Sequence, residues 1–209
     1  MHSAIRRTSI VALSAAALVA ACSKSENNAD SARLADSAAA AAAAPAGSTT
    51  TATAAPTLTD ANIVAVVDEA NMADSATGSV AATKGTNSEV KSFGRDMMRD
   101  HHALRKMGQD LAKKLNVTPQ PPANDSSEAR DKAWVDSLKA MPKGTAFDKA
   151  YIDHEVGAHT QVLATLHTAQ TAAQNAELKD LITKAIPTIE SHLKKAQDIQ
   201  SKLQSASTP

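Results

Sequence analysis

Leu178, Ile182, Ala185, Ile189, His192, Ala196, Ile199 and Leu203 recur alternately four and three residues apart near the C-terminus. That spacing puts all of them on one stripe of an α-helix, whereas a strand, with its period of two, would scatter them over both faces. A helix with so long an apolar stripe needs partners of similar length to cover it. One member of the stripe is not apolar: His192 stands in its middle. Pro187 lies about half a turn away from the stripe. It lacks a backbone donor and is expected to kink the helix one turn before His192.

Three partners of matching length precede it. Thr59 or Asp60 can cap a helix that runs to about Lys84, ahead of the turn Gly85-Thr86-Asn87. A second runs from about Ser88 to Leu115, where Pro119, Pro121 and Pro122 end regular structure. A third runs from about Ala146 to Ala173, and the stripe belongs to a fourth, Ala176 to Leu203. A short helix at Ser127 to Lys139 falls in the long connection between the two pairs. The expected fold is all-α: a four-helix bundle with a crossover that contains a short extra helix. Alanine is abundant and aromatic residues are 2% of the chain. That mix suits helices that approach closely, and argues against a β-rich domain or a base-stacking surface. Charges balance, with 22 basic and 22 acidic residues, so no nucleic-acid partner is expected.

Residues 1–21 read as an export signal. Arg6 and Arg7 precede a short apolar run, Ile10 to Val19, that ends in Val19-Ala20-Ala21-Cys22. This ending resembles the lipobox of bacterial lipoproteins, in which the cysteine is lipidated and becomes the mature N-terminus. Cys22 is the only cysteine, so an intrachain disulfide is impossible and an acyl anchor is the expected role. With Ser23 after it, the resemblance implies the outer membrane, facing the periplasm; a secreted or an inner-membrane form is the alternative. Residues 22–57 are rich in Ala, Ser, Thr and Asn, have little apolar surface to bury, and read as a tether. The folded domain is expected over 58–205.

Each long helix points ionisable residues inward. At 100° per residue the first has the stripe Ile63, Val66, Val67, Ala70, Ala73, Thr77 and Ala81, with Asp74 near its centre line. In the second, His101 lies within Val90, Phe93, Met97, Leu104, Leu111 and Leu115, with Asp100 at the edge. In the third, Glu155 and His159 lie among Tyr151, Ile152, Val156, Val162, Leu163 and Leu166. His102, His154, His167 and Glu190 fall outside or flank these stripes. Asp74 is twelve residues before Thr86 and His101 fifteen after it; His159 is sixteen before Asn175 and His192 seventeen after it. At about 1.5 Å per residue, all sit within about one turn of a common height. Five such groups out of water must satisfy one another or hold something. Two readings stay open: a self-contained imidazole–carboxylate network, or a site for zinc, copper, iron or manganese. In the second, His101, His159 and His192 would be ligands, Glu155 and Asp74 ligands or orienters, and Asp100 an orienter. Met97, Met98 and Met107 are expected to pack rather than to bind metal.

The segments EVKSFGRDMMRDHHALRKMGQDLAKKL (89–115), FDKAYIDHEVGAHTQVL (147–163) and LKDLITKAIPTIESHLKKA (178–196) resemble a ferritin-like family of exported bacterial proteins, domain of unknown function 4142. The resemblance spans about Leu58 to Leu203. It implies a ferritin-like bundle and a periplasmic or outer-membrane place, and it implies no established reaction. Where the family pattern has a glutamate four residues before the glycine of the first helix, this chain has Asp74 before Gly78. It also has no Glu-x-x-His, so a carboxylate-bridged di-iron centre is not expected. No serine or cysteine stands in an elbow or triad context. The expected role is a lipid-anchored bundle, non-enzymatic or metal-binding. The alternatives are a metal-dependent redox or sequestration protein of the envelope, and an envelope interaction module.

Overall fold

The computed structural model describes residues 58–206; the expected signal peptide, Cys22 and the tether lie outside the described residues. The elements are α1 (Asp60–Lys84), α2 (Ser88–Lys114), α3 (Ser127–Ala140), α4 (Thr145–Ala172) and α5 (Ala176–Ser205). Four long helices pair as the hairpins α1–α2 and α4–α5, and α3 packs on α1. The architecture is therefore an all-α bundle, with helix bounds close to those expected. Among the described residues, no helix is long and apolar enough to cross a membrane.

The helix starts follow local chemistry. Thr59 and Asn62 form a reciprocal capping box at α1, each accepting from the other's backbone N–H at 3.2 and 3.1 Å. Asn87 and Asn175 cap α2 and α5 by accepting from the second and third backbone N–H groups of their helices. α5 continues through Pro187, which is on its exposed side. Lys84 Nζ donates to the carbonyls of Leu138, Lys139 and Met141, which fastens the free C-terminal end of α3 to the end of α1.

Two aspartates tie the hairpins together. Asp148, in the first turn of α4, accepts from the backbone N–H groups of Thr86 (2.9 Å) and Asn87 (2.8 Å) in the α1–α2 turn, and from the Thr86 hydroxyl. Asp60, the first residue of α1, accepts from Gln174 N (2.8 Å) and Asn175 N (3.0 Å) in the α4–α5 turn. Each hairpin thus holds the turn of the other. Asp148 is buried in this contact, and by spacing it stands on the same side of α4 as Ile152, Glu155 and His159.

The core divides into two clusters. One gathers Phe93, Met97, Phe147, Tyr151 and Ile152 with Ala196 and Ile199; the other gathers Ile63, Leu166, Leu178, Ile182 and Ile189. All eight residues of the α5 stripe are buried. The α1 stripe needs correction. Val66, Val67, Ala70 and Ala73 are only half-buried, and Asn71 is buried in their place. α1 is apolar around most of its circumference, so its period says little about which side faces in. Leu104 and Leu111 of α2, and Leu115 just past its end, are also only partly buried. Met97 packs as expected, but Met98 and Met107 are exposed.

α1 and α2 touch backbone to backbone. A Cβ added at Gly94 would lie 2.6 Å from Gly78 O and 2.7 Å from Ala82 N; one at Gly78 would lie 2.7 Å from Gly94 O. Only glycine fits both sides of this crossing. Gly94→Val is expected to force the helices apart and to destabilise by about 3 kcal/mol or more, read as a lower midpoint in urea denaturation.

Candidate metal centre

The five inward residues meet. Asp74, His101, Glu155, His159 and His192 come from all four long helices, and none is more than 5% exposed. One ligating nitrogen each of His101, His159 and His192 lies within 4.8 Å of the others, as does one ligating atom each of Asp74, Glu155 and His159. His159 belongs to both groups. The three ring centroids are 5.1 to 5.7 Å apart. His102, His167 and Glu190 are exposed, as their positions imply. His154 is half-buried and stacks on Trp134 at 4.4 Å between centroids.

Each ring is oriented by one acceptor. Asn71 donates its amide to Val67 O (2.7 Å), which turns its Oδ1 toward His101 Nδ1 at 2.9 Å. His159 Nδ1 faces the Glu155 carbonyl at 3.0 Å. His192 Nε2 faces Asp100 Oδ2 at 3.0 Å. These oxygens only accept, so the facing nitrogens carry the hydrogens and the other nitrogen of each ring keeps its lone pair. Those nitrogens, His101 Nε2, His159 Nε2 and His192 Nδ1, are buried without a hydrogen-bond partner among the described residues. Asp74 Oδ2 and Glu155 Oε2 are in the same condition. The other Glu155 oxygen accepts from Thr77 Oγ1 at 2.9 Å.

Burial sets the charge of this layer. It raises Asp74 to about 7, with Asp131 adding to the effect. It raises Glu155 well above the ordinary carboxyl range, with Asp74 adding and Thr77 opposing. It lowers His159 to about 4, with His192 adding. It lowers His101 well below the usual imidazole value, with His159 and His192 adding. Asp74 lies 3.6 Å from His101 and Glu155 3.4 Å from His159, close enough for ion pairs, yet desolvation favours the neutral form on both sides of each contact. Asp100 differs: although partial burial works against it, hydrogen bonds from Arg99 and His192 hold it below the ordinary carboxylate value.

Asn71 is the member of the site absent from the sequence stripes, and Thr77 and Tyr151 lie in them without being marked as polar members of the layer. Asn71 and Thr77 are uncharged and do not stand out on a helix face. Tyr151 counts as apolar in a stripe, but its buried hydroxyl has no partner among the described residues, and burial followed by Glu155 and Asp74 raises its pKa well above 10.

The electrostatics carry a signed expectation for chelator-treated protein. The folded pKa of Asp74, about 7, exceeds its ordinary 3.8. Its contribution to stability is therefore present below about 3.8 and lost as pH rises through about 7. Asp74→Asn is expected to leave stability nearly unchanged at pH 3.5 and to raise it at pH 8. At about 1.4 kcal/mol per pH unit the gain is several kcal/mol, measured by urea denaturation at the two pH values.

Nothing among curated proteins and nothing among solved structures matches this chain. One family does, described as "Domain of unknown function (DUF4142)", over residues 41–199, a span that takes in the whole polar layer. The chain belongs to that family.

Proposed function

We propose that this chain holds one divalent first-row transition ion in the middle of its bundle. His101, His159 and His192 are the ligands, and Asp74 and Glu155 are the adjoining carboxylates. The observation that supports this is the state of the three rings: each has one nitrogen spent on an oriented acceptor and the other buried with its lone pair unmatched. A self-contained network would have to supply donors to three such nitrogens. None of the groups that could do so is in place: Asp74 Oδ2, Glu155 Oε2 and the Tyr151 hydroxyl are themselves without a hydrogen-bond partner among the described residues. A cation matches all three at once, and imidazole donors suit zinc, copper or iron. Acceptors behind histidine ligands are the usual means of fixing ring orientation. Asn71, Asp100 and the Glu155 carbonyl fill that position. Two carboxylates beside a divalent ion would also balance its charge in a low-dielectric core.

Elemental analysis of full-length protein purified without a histidine tag tests this, followed by Co²⁺ titration of the chelator-treated form. About one equivalent is expected, with His101→Gln, His159→Gln and His192→Gln each weakening binding about 100-fold or more, and Asp100→Asn weakening it about 10–100-fold. Protein that carries less than about a tenth of an equivalent of any transition metal, and takes none up, ends the reading.

The proposal places this centre on a periplasm-facing, outer-membrane lipoprotein. Its support is the sequence: Arg6 and Arg7, the apolar run, and Ala20-Ala21-Cys22 followed by a tether. Metabolic labelling with a palmitate analogue is expected to mark the wild-type protein, and Cys22→Ala is expected to abolish both the label and sedimentation with membranes.

A further inference from the structure

A cavity of about 720 Å³ opens beside the polar layer. Its wall includes Val67, Ala70, Leu104, Val162, Ala185 and Ile189, from all four long helices. α3 contributes Arg130, Asp131 and Trp134 to the lining, and α1 contributes Glu69. Asp74 and His101 are also on the wall. Both are buried and both have an unpartnered polar atom.

Size and chemistry narrow the occupant. The volume is that of a small-molecule pocket and far exceeds the room one ion or one water takes. Aliphatic walls offer water no partners, so they favour a hydrocarbon body. The charges on the wall are unequal. Glu69, Asp74, Asp131 and Asp153 are carboxyl groups, and Arg130 is the one guanidinium among the residues that line the cavity. Asp153 is engaged by Lys149 at 3.2 Å and Gln200 at 2.8 Å. Glu69 and Asp131 have no hydrogen bond or ion pair from described residues, although the charge of Arg130 acts on Asp131 against its burial. Burial raises Glu69 above its ordinary value, and Asp131, Glu128 and Asp68 add to this against Arg105. Glu69 of α1 and Asp131 of α3 thus line one cavity, the charge of Asp131 acts on Glu69, and carboxyl groups outnumber the one guanidinium of the lining.

We propose that this cavity binds a small organic ammonium compound, its hydrocarbon body against the Val67, Leu104, Val162 and Ile189 wall and its cationic group between Glu69 and Asp131. The site lies beside the proposed metal centre and does not depend on it. A quaternary ammonium group has no lone pair and cannot ligate a metal, so such compounds test the cavity alone.

Calorimetric titration of the chelator-treated full-length chain compares octyltrimethylammonium, hexyltrimethylammonium, octanoate and octanol. Octyltrimethylammonium is expected to bind saturably, one per chain, about tenfold tighter than the hexyl homologue because two more methylenes are buried. Octanoate is expected to bind about tenfold more weakly or worse, its charge having the wrong sign. Glu69→Gln with Asp131→Asn is expected to remove the preference for the cation while octanol binding persists. Gly157 lines the cavity, and a Cβ added there meets nothing within 4 Å. Gly157→Leu is therefore expected to fold, with a gain in helix propensity, and to weaken every ligand by occupying the space. The proposal is overturned by any of four results: no saturable ammonium binding, octanoate binding as tightly as the ammonium compound, a preference that survives in the Glu69/Asp131 variant, or unaltered binding in Gly157→Leu. Each of these stands whether or not a metal is found in the protein.

Discussion

The reciprocal aspartate clamps fix the arrangement on which the rest depends. A layer drawn from four helices exists only if the two hairpins are held at one height, and hydrophobic packing alone sets height poorly. Sliding a hairpin by one turn, about 5.4 Å, exchanges one set of apolar contacts for a similar set. Asp148 and Asp60 remove that freedom, because each accepts two backbone N–H groups of the opposite turn at fixed positions. Charge-assisted bonds to otherwise orphaned donors are directional and are lost on any slip. The two clamps are alike in detail. In each, the bonded amides belong to a capping asparagine, Asn87 or Asn175, and the residue before it.

With the hairpins in register, the chemistry of the core follows from desolvation. Water is excluded from groups that would be charged in it, and the lower free energy lies with neutral imidazoles and neutral carboxyls. Such a core is poised rather than satisfied. The ring hydrogens are turned toward Asn71, Asp100 and a backbone carbonyl, and the other ring nitrogens keep unmatched lone pairs. A purely structural network would be expected to pair donors with acceptors inside the layer.

Much of this was legible in the sequence, for reasons that differ between elements. α5 repeats its apolar residues at three- and four-residue spacing, so its stripe gives both the buried face and the place of His192. Counting residues from the two turns gives the common height of His101, His159 and His192, because rise per residue is constant. α1 resists the same treatment: it is rich in alanine on every side, and its half-buried Val66, Ala70 and Ala73 face a cavity rather than a helix. Asn71 acts through a bond to a ring thirty positions away, and Asp148 through bonds to a turn about sixty positions away. No local period records such contacts. Whether five inward groups pair with one another or await a cation is a matter of hydrogen direction, and that follows only from three-dimensional neighbours.

The three rings differ in what stands behind them. Asn71 and Glu155 are buried, but Asp100 keeps a 27% exposed side chain and is gripped from outside by Arg99, at 2.8 Å from Nε. Arg99 also holds Asp96, which Lys195 of α5 engages in turn. His192 is thus hydrogen-bonded to a solvent-facing chain of charges. Dissolved salt and surface substitutions along that chain can therefore act on the interior through a hydrogen bond to this ring.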